Sequence, residues 1–466
     1  MTSDGDSVRE STKVLVIGGG PAGATAAGLL AREGIEVALI ERDYFPRYHI
    51  GESILPSCQP IFKLLGVWDK VADHGFQEKN GAYFFWGPEE WEIAFSDGTE
   101  PAKAYQVIRS EFDKVLLDHA ASLGVETVQG TTVRDLEFDG ERPVAAHWTD
   151  TSDPQRTGRI EFDYLIDASG RAGVMANRHL KNRKFHNVFR NVAAWSYWKD
   201  AERLDRGPAG AIGVFSIPEG WFWAIPLHDG TMSVGFVTSR DRFNALRNEL
   251  GSVEALYHEA IKESGPTAQM LANATCVGDV RVEQDYSYAA DSFAGPGYFI
   301  CGDAACFLDP LLSTGVHLAT YSALLAAASL IAIVRDQIAE DRAQKFYGSV
   351  YRDAYQRLLL LVSTFYQSYK GKEHHFYAAQ RLSRTDRDAL TPRAAFSQII
   401  QGMEDLDRAQ EVHRQVSVYF HDSETVETAV APGEAEGAES AFPVSEADAV
   451  AGLYVSFYPK FGLLEA

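Results

Sequence analysis

Cysteine is scarce in this chain. There are four, Cys58, Cys276, Cys301 and Cys306, in 466 residues. None forms a Cys-x-x-Cys pair and their spacing fits no zinc template, so no disulfide scaffold and no metal site are expected. A reduced, cytoplasmic setting follows as the expectation. Positive charge is short as well: 43 Lys and Arg stand against 65 Asp and Glu, a formal net charge of −22. Nucleic acid is therefore excluded as an expected partner, because phosphate affinity needs clustered cations. Residues 1–12 lack the basic start and apolar stretch of a signal peptide. The apolar run 318–334 is short and carries Thr320, Tyr321, Ser322 and Ser329. It reads as a buried helix, not a membrane span, and no membrane partner is expected. There is no internal repeat.

What is present is an ordinary globular composition, long enough for one large or about two to three ordinary domains. Residues 13–17 form a short β-branched apolar strand, 21–32 a helix with Pro21 in its first turn, and 36–41 a second strand. Gly34 suits the position just past the helix end. This is a βαβ start. Further along, 110–123 reads as a helix, and 125–129, 131–138, 164–168 and 297–301 as strands. Residues 185–238, rich in Trp, Phe, Tyr and Val, read as antiparallel sheet. Residues 246–264 read as helical, and the chain after Gly315 as mostly helical to about 413. The Glu-, Ala- and Gly-rich stretch 423–448 reads as an acidic linker. Residues 450–464 are expected to dock back on the body.

Between the first strand and helix lies Gly18-Gly19-Gly20-Pro21-Ala22-Gly23. Gly18 permits the tight turn, Gly20 lets the backbone approach a pyrophosphate, and Gly23 allows close helix–strand packing. The helix N-terminus supplies amide donors. Glu41, at the end of the second strand, is placed for ribose hydroxyls. NAD would satisfy the same geometry. A second rare string is Gly220-Trp221-Phe222-Trp223-Ala224-Ile225-Pro226, whose tryptophans share one face of a strand. Others are Arg47-Tyr48-His49-Ile50-Gly51-Glu52-Ser53, Asp167-Ala168-Ser169-Gly170-Arg171 and Cys301-Gly302-Asp303-Ala304-Ala305.

Over about residues 12–340 this set resembles the flavoprotein monooxygenase superfamily, and the Trp-x-Trp-x-Ile-Pro string resembles its flavin-dependent halogenases of the phenol and pyrrole type. The resemblance implies an α/β (α+β) FAD-binding fold of the GR2, p-hydroxybenzoate-hydroxylase-like kind. It would have a discontinuous FAD-binding domain (10–75, 100–184, 270–340), a substrate-side antiparallel sheet (76–99, 185–269), a helical region (341–422), the linker (423–449) and a carboxy-terminal segment (450–466). FAD would be held by Gly18, Gly20, Ala22, Gly23, Glu41, Arg42, Ser53, Arg109, Asp303, Pro310 and Gly315. With one dinucleotide fingerprint, the flavin is expected to arrive reduced, as FADH2, from a separate NAD(P)H flavin reductase. O2 and chloride or bromide would complete the cofactors. The halide is expected at Thr314 and Gly315, where glycine-turn amides make an anion nest. Trp221, Trp223 and Pro226 would shield the flavin. Hypohalous acid would travel to Lys79, the expected catalytic residue, which would bind it as an ammonium or form a chloramine as an amine.

One departure bears on the substrate. Leu312 stands where tryptophan halogenases carry a Glu that polarises indole, and the long carboxy-terminal cover of those enzymes is not apparent. A phenol needs less polarisation. The expected acceptor is thus phenolic, polyketide- or tyrosine-derived, with a pyrrole second, free or tethered to an acyl or peptidyl carrier. Basic residues at 178–184 or 352–372 would serve a carrier. His317, His74, His119 and Tyr366 are candidates for a substrate base, each with a structural alternative. Competing readings are an FAD-dependent aromatic hydroxylase, a geranylgeranyl-reductase-like oxidoreductase and a non-enzymic flavin-binding module.

Overall fold

The strand Ser11–Ile17 sits at the centre of the first sheet, where its apolar residues Val14 to Ile17 are all buried. A strand covered on both faces needs such an unbroken run. It pairs in parallel with Val37–Ile40 on one side and with Thr157–Asp167 on the other. Tyr298–Ile300 extends the sheet beyond Thr157–Asp167 and Glu126–Val128 beyond Val37–Ile40, both in parallel. The hairpin Thr131–Asp139 and Arg142–Asp150 joins antiparallel to the start of Thr157–Asp167. The chain therefore leaves its first strand toward one side of the sheet and later returns on the other. The carboxyl ends of Ser11–Ile17 and Thr157–Asp167 flank that switch point, where open α/β sheets bind ligands. The helix Pro21–Arg32 follows, and Gly34, with φ 78°, takes the left-handed turn past its end. The computed structural model describes residues 8–95, 103–366, 445–446, 449–457 and 460–466, with 187–189, 285–286 and 363–366 described by backbone alone.

The second sheet has eight strands, in the order Cys306–Phe307, Thr275–Ala290, Arg183–Lys199, Thr231–Ser239, Gly220–Pro226, Ile212–Ile217, Gly81–Trp86, Glu89–Ala94. It is antiparallel except where Ile212–Ile217 meets Gly81–Trp86, a parallel pair that the expectation of a wholly antiparallel sheet missed. Alternation along Gly220–Pro226 divides its side chains between two cores. Trp221, Trp223 and Ile225 join the main core, whereas Phe222 and Ala224 pack with Phe236, Leu256 and Tyr257 on the other face. That second core is closed by Arg240–Leu250 and Val253–Glu263. The stretch 246–264 expected to be helical is built from the end of the first and the whole of the second. Gly251 turns left-handed at φ 85°, and the Ser252 hydroxyl accepts the Ala255 N–H at 3.1 Å to start the second.

The helix Gly315–Val334 meets the length and hydropathy of a membrane span, yet its apolar stretch is wholly buried in the protein. Glu340–Tyr366 follows, and its Tyr347 hydroxyl donates to the Ile300 carbonyl at 2.6 Å. The antiparallel pair Leu453–Ser456 and Gly462–Glu465 docks on the body, burying Leu453, Val455, Phe461 and Leu463 in the main core. The helical reading of 367–413 and nearly all of the acidic stretch lie outside the described residues.

Candidate active site

A cleft of about 1220 Å³ opens at the switch point, between the first sheet and the tryptophan face of the second. It exceeds the roughly 300–1,000 Å³ of ordinary small-ligand sites and so suits an extended ligand. Gly18, Gly20, Ala22, Glu41, Arg42, Ser53, Arg109, Asp303, Pro310, Thr314, Gly315, Trp221 and Trp223 all line it. Gly18 has φ +106°, and a Cβ there would lie 2.2 Å from the Ala168 carbonyl oxygen. Only glycine satisfies both demands. Gly23 stands behind the lining, where a Cβ would meet the Gly18 carbonyl oxygen at 1.8 Å. Its work is helix–strand packing. Glu41 is buried and accepts the Gly19 N–H at 2.6 Å and the Asp43 N–H at 2.8 Å, which fixes its carboxylate at the strand end.

Arg109 begins the helix Arg109–Ser122 and forks onto buried Asp113, at 2.7 and 2.9 Å, while also donating to the Ile50 and Gly51 carbonyls. Burial works against the Asp113 carboxylate, but Arg109 and Arg47 hold its pKa below the usual range. This clamp fixes the Ile50–Gly51 loop on the cleft wall. Asp303 faces the cleft after the left-handed Gly302. Burial raises it to about 6 against the pull of Arg171, Arg109 and Arg183. Sequence reasoning missed a further acid, Glu52. It lines the cleft, burial pushes it up to about 7, and it accepts the Tyr197 hydroxyl at 2.7 Å. The Tyr48 hydroxyl lies 3.0 Å from that of Tyr197 and accepts the Trp195 indole N–H at 2.7 Å. Glu52 and Tyr48 stood inside a motif already singled out; Trp195 and Tyr197, some 145 residues away, left no sequence signal.

At the other end of the cleft Asp309 caps the turn Pro310–Leu312, accepting the Leu311 N–H at 3.1 Å and the Asn191 amide at 2.8 Å. Ser313 is left-handed at φ 58°, and the helix begins at Gly315. The Thr314 Oγ is buried with no hydrogen-bond partner among the described residues. An orphan hydroxyl beside the N-terminus of a 20-residue helix fits an anion. The Ser53 Oγ is likewise buried, facing the cleft, without a partner. The glycine cradle and these two orphans fit FAD and a halide. Leu312 is buried.

Trp221 and Trp223 form one wall with Trp195. Ring centroids lie 6.1 Å apart for Trp221–Trp223 and 6.3 Å for Trp195–Trp223. Gly235, on the neighbouring strand, leaves room for the Trp223 ring, since a Cβ there would come within 2.0 Å of it. Pro226 does not line the cleft. It is out of phase with Trp221, Trp223 and Ile225, and a period of two points it to the other face.

Lys79 also lies off the cleft. It ends the strand Gln77–Lys79, paired to Ala104–Gln106, and is 2% exposed. Nζ donates to the Ile54 carbonyl at 3.3 Å and sits 5.4 Å from the Phe95 ring centroid. Ile54 follows Glu52 and Ser53, which do line the cleft, so Nζ stands one residue behind its wall. Among the described residues no carboxylate is within ion-pair reach. Burial lowers the Lys79 pKa from 10.5 to about 7.

The histidines proposed as bases have other attachments. His317 is buried against the Ser57 hydroxyl at 2.8 Å, and burial lowers it to about 3. His119 bonds the Leu65 carbonyl at 3.0 Å. His74 meets Glu111 at 2.8 Å. The Tyr366 side chain lies outside the described residues. In the basic run 178–184, Arg178 turns to the Arg134 carbonyl, Arg183 stacks on Tyr288, and Lys184 pairs with Asp291.

Fold and site together define an FAD-dependent oxidoreductase of GR2-like α/β architecture. Residues 13–103 and 99–431 match the family described as tryptophan halogenase. The chain is 43% identical over 494 residues to a tryptophan 2-halogenase of Chondromyces crocatus, across 97% of this chain and 94% of that one. It is 41% identical over 382 residues to sulochrin halogenase of Aspergillus terreus, across 76% and 69%. The structure of a myxobacterial chondrochloren halogenase superposes with a TM-score of 0.73 and 33% identity, covering 89% of this chain and 90% of that one. The chain belongs to this family and is a flavin-dependent halogenase, working with FADH2, O2 and a halide on a small-molecule substrate. A separate flavin reductase supplies the reduced flavin.

Proposed function

We propose that the enzyme halogenates an electron-rich phenol, polyketide- or tyrosine-derived, free or on an acyl or peptidyl carrier, through Lys79 in a cytoplasmic setting. The observation that carries the reading is a fully buried lysine with no acidic partner among the described residues, one residue behind the cleft wall. Such a group costs stability and is retained where its reactivity is used. The FAD-binding part is built on the first sheet and the substrate side on the second.

FAD supplies, with O2, the oxidising power that turns halide into hypohalous acid. The chain's own residues do the rest. Thr314 Oγ and the amides at Gly315 hold the halide. Trp221, Trp223 and Trp195 line the cleft and would exclude the arene from bound FAD. Neutral Lys79 attacks the halogen of hypohalous acid: the N–halogen bond forms, the halogen–oxygen bond breaks, and water leaves with the amine proton. The arene then takes the halogen from nitrogen with its π electrons, and the amine regains a proton from the ring carbon. Lowering the Lys79 pKa to about 7 makes the neutral amine this route needs available near neutral pH.

Leu312 supports the phenol. No carboxylate occupies that position to polarise an indole or to hold the cation formed on attack. A second reading, tryptophan as acceptor, is favoured by the name of the 43% identical relative. A panel of phenols, pyrroles and tryptophan, offered with FAD, a reductase, NADH, O2 and bromide, separates the two by product mass. Brominated phenol without brominated tryptophan is the expected outcome, and the reverse would overturn the substrate assignment.

A further inference from the structure

Away from the cleft, three donor side chains from separate segments converge. His74 lies in the loop before the Lys79 strand, Glu111 in the first turn of Arg109–Ser122, and His228 just past the tryptophan strand Gly220–Pro226. The His74 Nε2 is 2.8 Å from the Glu111 Oε2, and the His228 Nε2 is 3.2 Å from the same oxygen. All three donor atoms lie within 4.8 Å of one another. Phe76 orients both imidazoles: His74 stacks on it at 4.1 Å and 21°, and His228 meets it edge-on at 5.3 Å and 89°.

We propose that His74, Glu111 and His228 bind a divalent transition-metal ion, zinc by the chemistry of its donors. Two imidazoles and one carboxylate form a borderline donor set that suits zinc and leaves a fourth position for water. With ligand bonds of about 2.0–2.1 Å, tetrahedral geometry separates donor atoms by about 3.3 Å. The 2.8 and 3.2 Å separations from Glu111 would open by up to roughly half an ångström, and the two imidazole nitrogens, within 4.8 Å of each other, would draw together by up to about 1.5 Å, within reach of side-chain rotation. All three side chains are partly exposed, so an ion has a path in. No local spacing announces the site, since its ligands are 37 and 117 residues apart along the chain (111 − 74 and 228 − 111). The ion would tie the Arg109 helix, the Lys79 strand and the tryptophan strand at one point, a structural role independent of the halogenation reading.

The test uses FAD-loaded, tag-free enzyme stripped with chelator and titrated with zinc chloride in a calorimeter. One equivalent is expected to bind. His74→Asn, Glu111→Gln and His228→Asn, each checked for retained FAD, should weaken it by at least the roughly 10–100-fold that lost outer contacts cost in other metal sites. No stoichiometric binding, or binding that all three variants keep, would overturn the proposal. In the unmodified enzyme, copper(II) EPR counts coordinating nitrogens without any variant. Two imidazole nitrogens support the site, and any other count contradicts it.

Discussion

Lys79 and Thr314 carry the proposed chemistry, and both are anomalous by ordinary folding rules: one is a buried lysine, the other a buried hydroxyl with no partner among the described residues. Lys79 titrates near 7 because burial disfavours its charge. The unfolded chain, at the ordinary 10.5, then binds more protons than the folded one between about 7 and 10.5, so native stability rises with pH across that window. Lys79→Met removes the cost. The variant should be more stable at pH 7 by on the order of 1–4 kcal/mol, a gain that shrinks toward pH 10, while halogenation is lost and FAD binding kept. Denaturant melts across pH check it, and a variant less stable than wild type at pH 7 would contradict the account. For Thr314→Val, loss of one anion donor predicts a rise of about tenfold in halide KM with FAD affinity unchanged, read by steady-state kinetics. Lys79 could be singled out in the sequence only by resemblance; its burial and the Ile54 contact depend on strands far apart in the chain.

At the scale of elements, strand alternation explains why the tryptophan string was legible and why Pro226 was misplaced. Trp221 and Trp223 share a face by simple period, and the same period removes Pro226 from it. What the string could not announce was Gly235, whose missing side chain accommodates the Trp223 ring. Gly235→Ala should displace that ring and cost about 1–3 kcal/mol, measured by denaturant unfolding, with a loss of halogenation efficiency. The helical stretch expected over 246–264 is interrupted where Gly251 and Ser252 form a stop and a start, a break the helical reading did not mark.

At the scale of the whole molecule, two sheets face each other across one cleft, and the first βαβ unit was the most legible part because its strand, turn and helix are contiguous. The partners it meets, Arg109, Asp303 and Thr314, come from three distant segments, which only tertiary structure assembles. FAD bound in this cleft should raise the melting temperature by mass action, worth about 2.7 kcal/mol at a hundredfold excess over Kd. Gly18→Ala, forced against the Ala168 carbonyl at φ +106°, should abolish that shift, read by thermal melts with and without FAD.

The measurement that tests the central claim most directly is the mass of the product formed by wild type and Lys79→Ala from a phenol panel, with FAD, reductase, NADH, O2 and bromide. The account predicts a paired bromine isotope pattern for wild type, absent without bromide, and its near-complete loss in Lys79→Ala while reduced flavin is still reoxidised. A gain of one oxygen without bromide dependence, or bromination by Lys79→Ala near the wild-type rate, would contradict it.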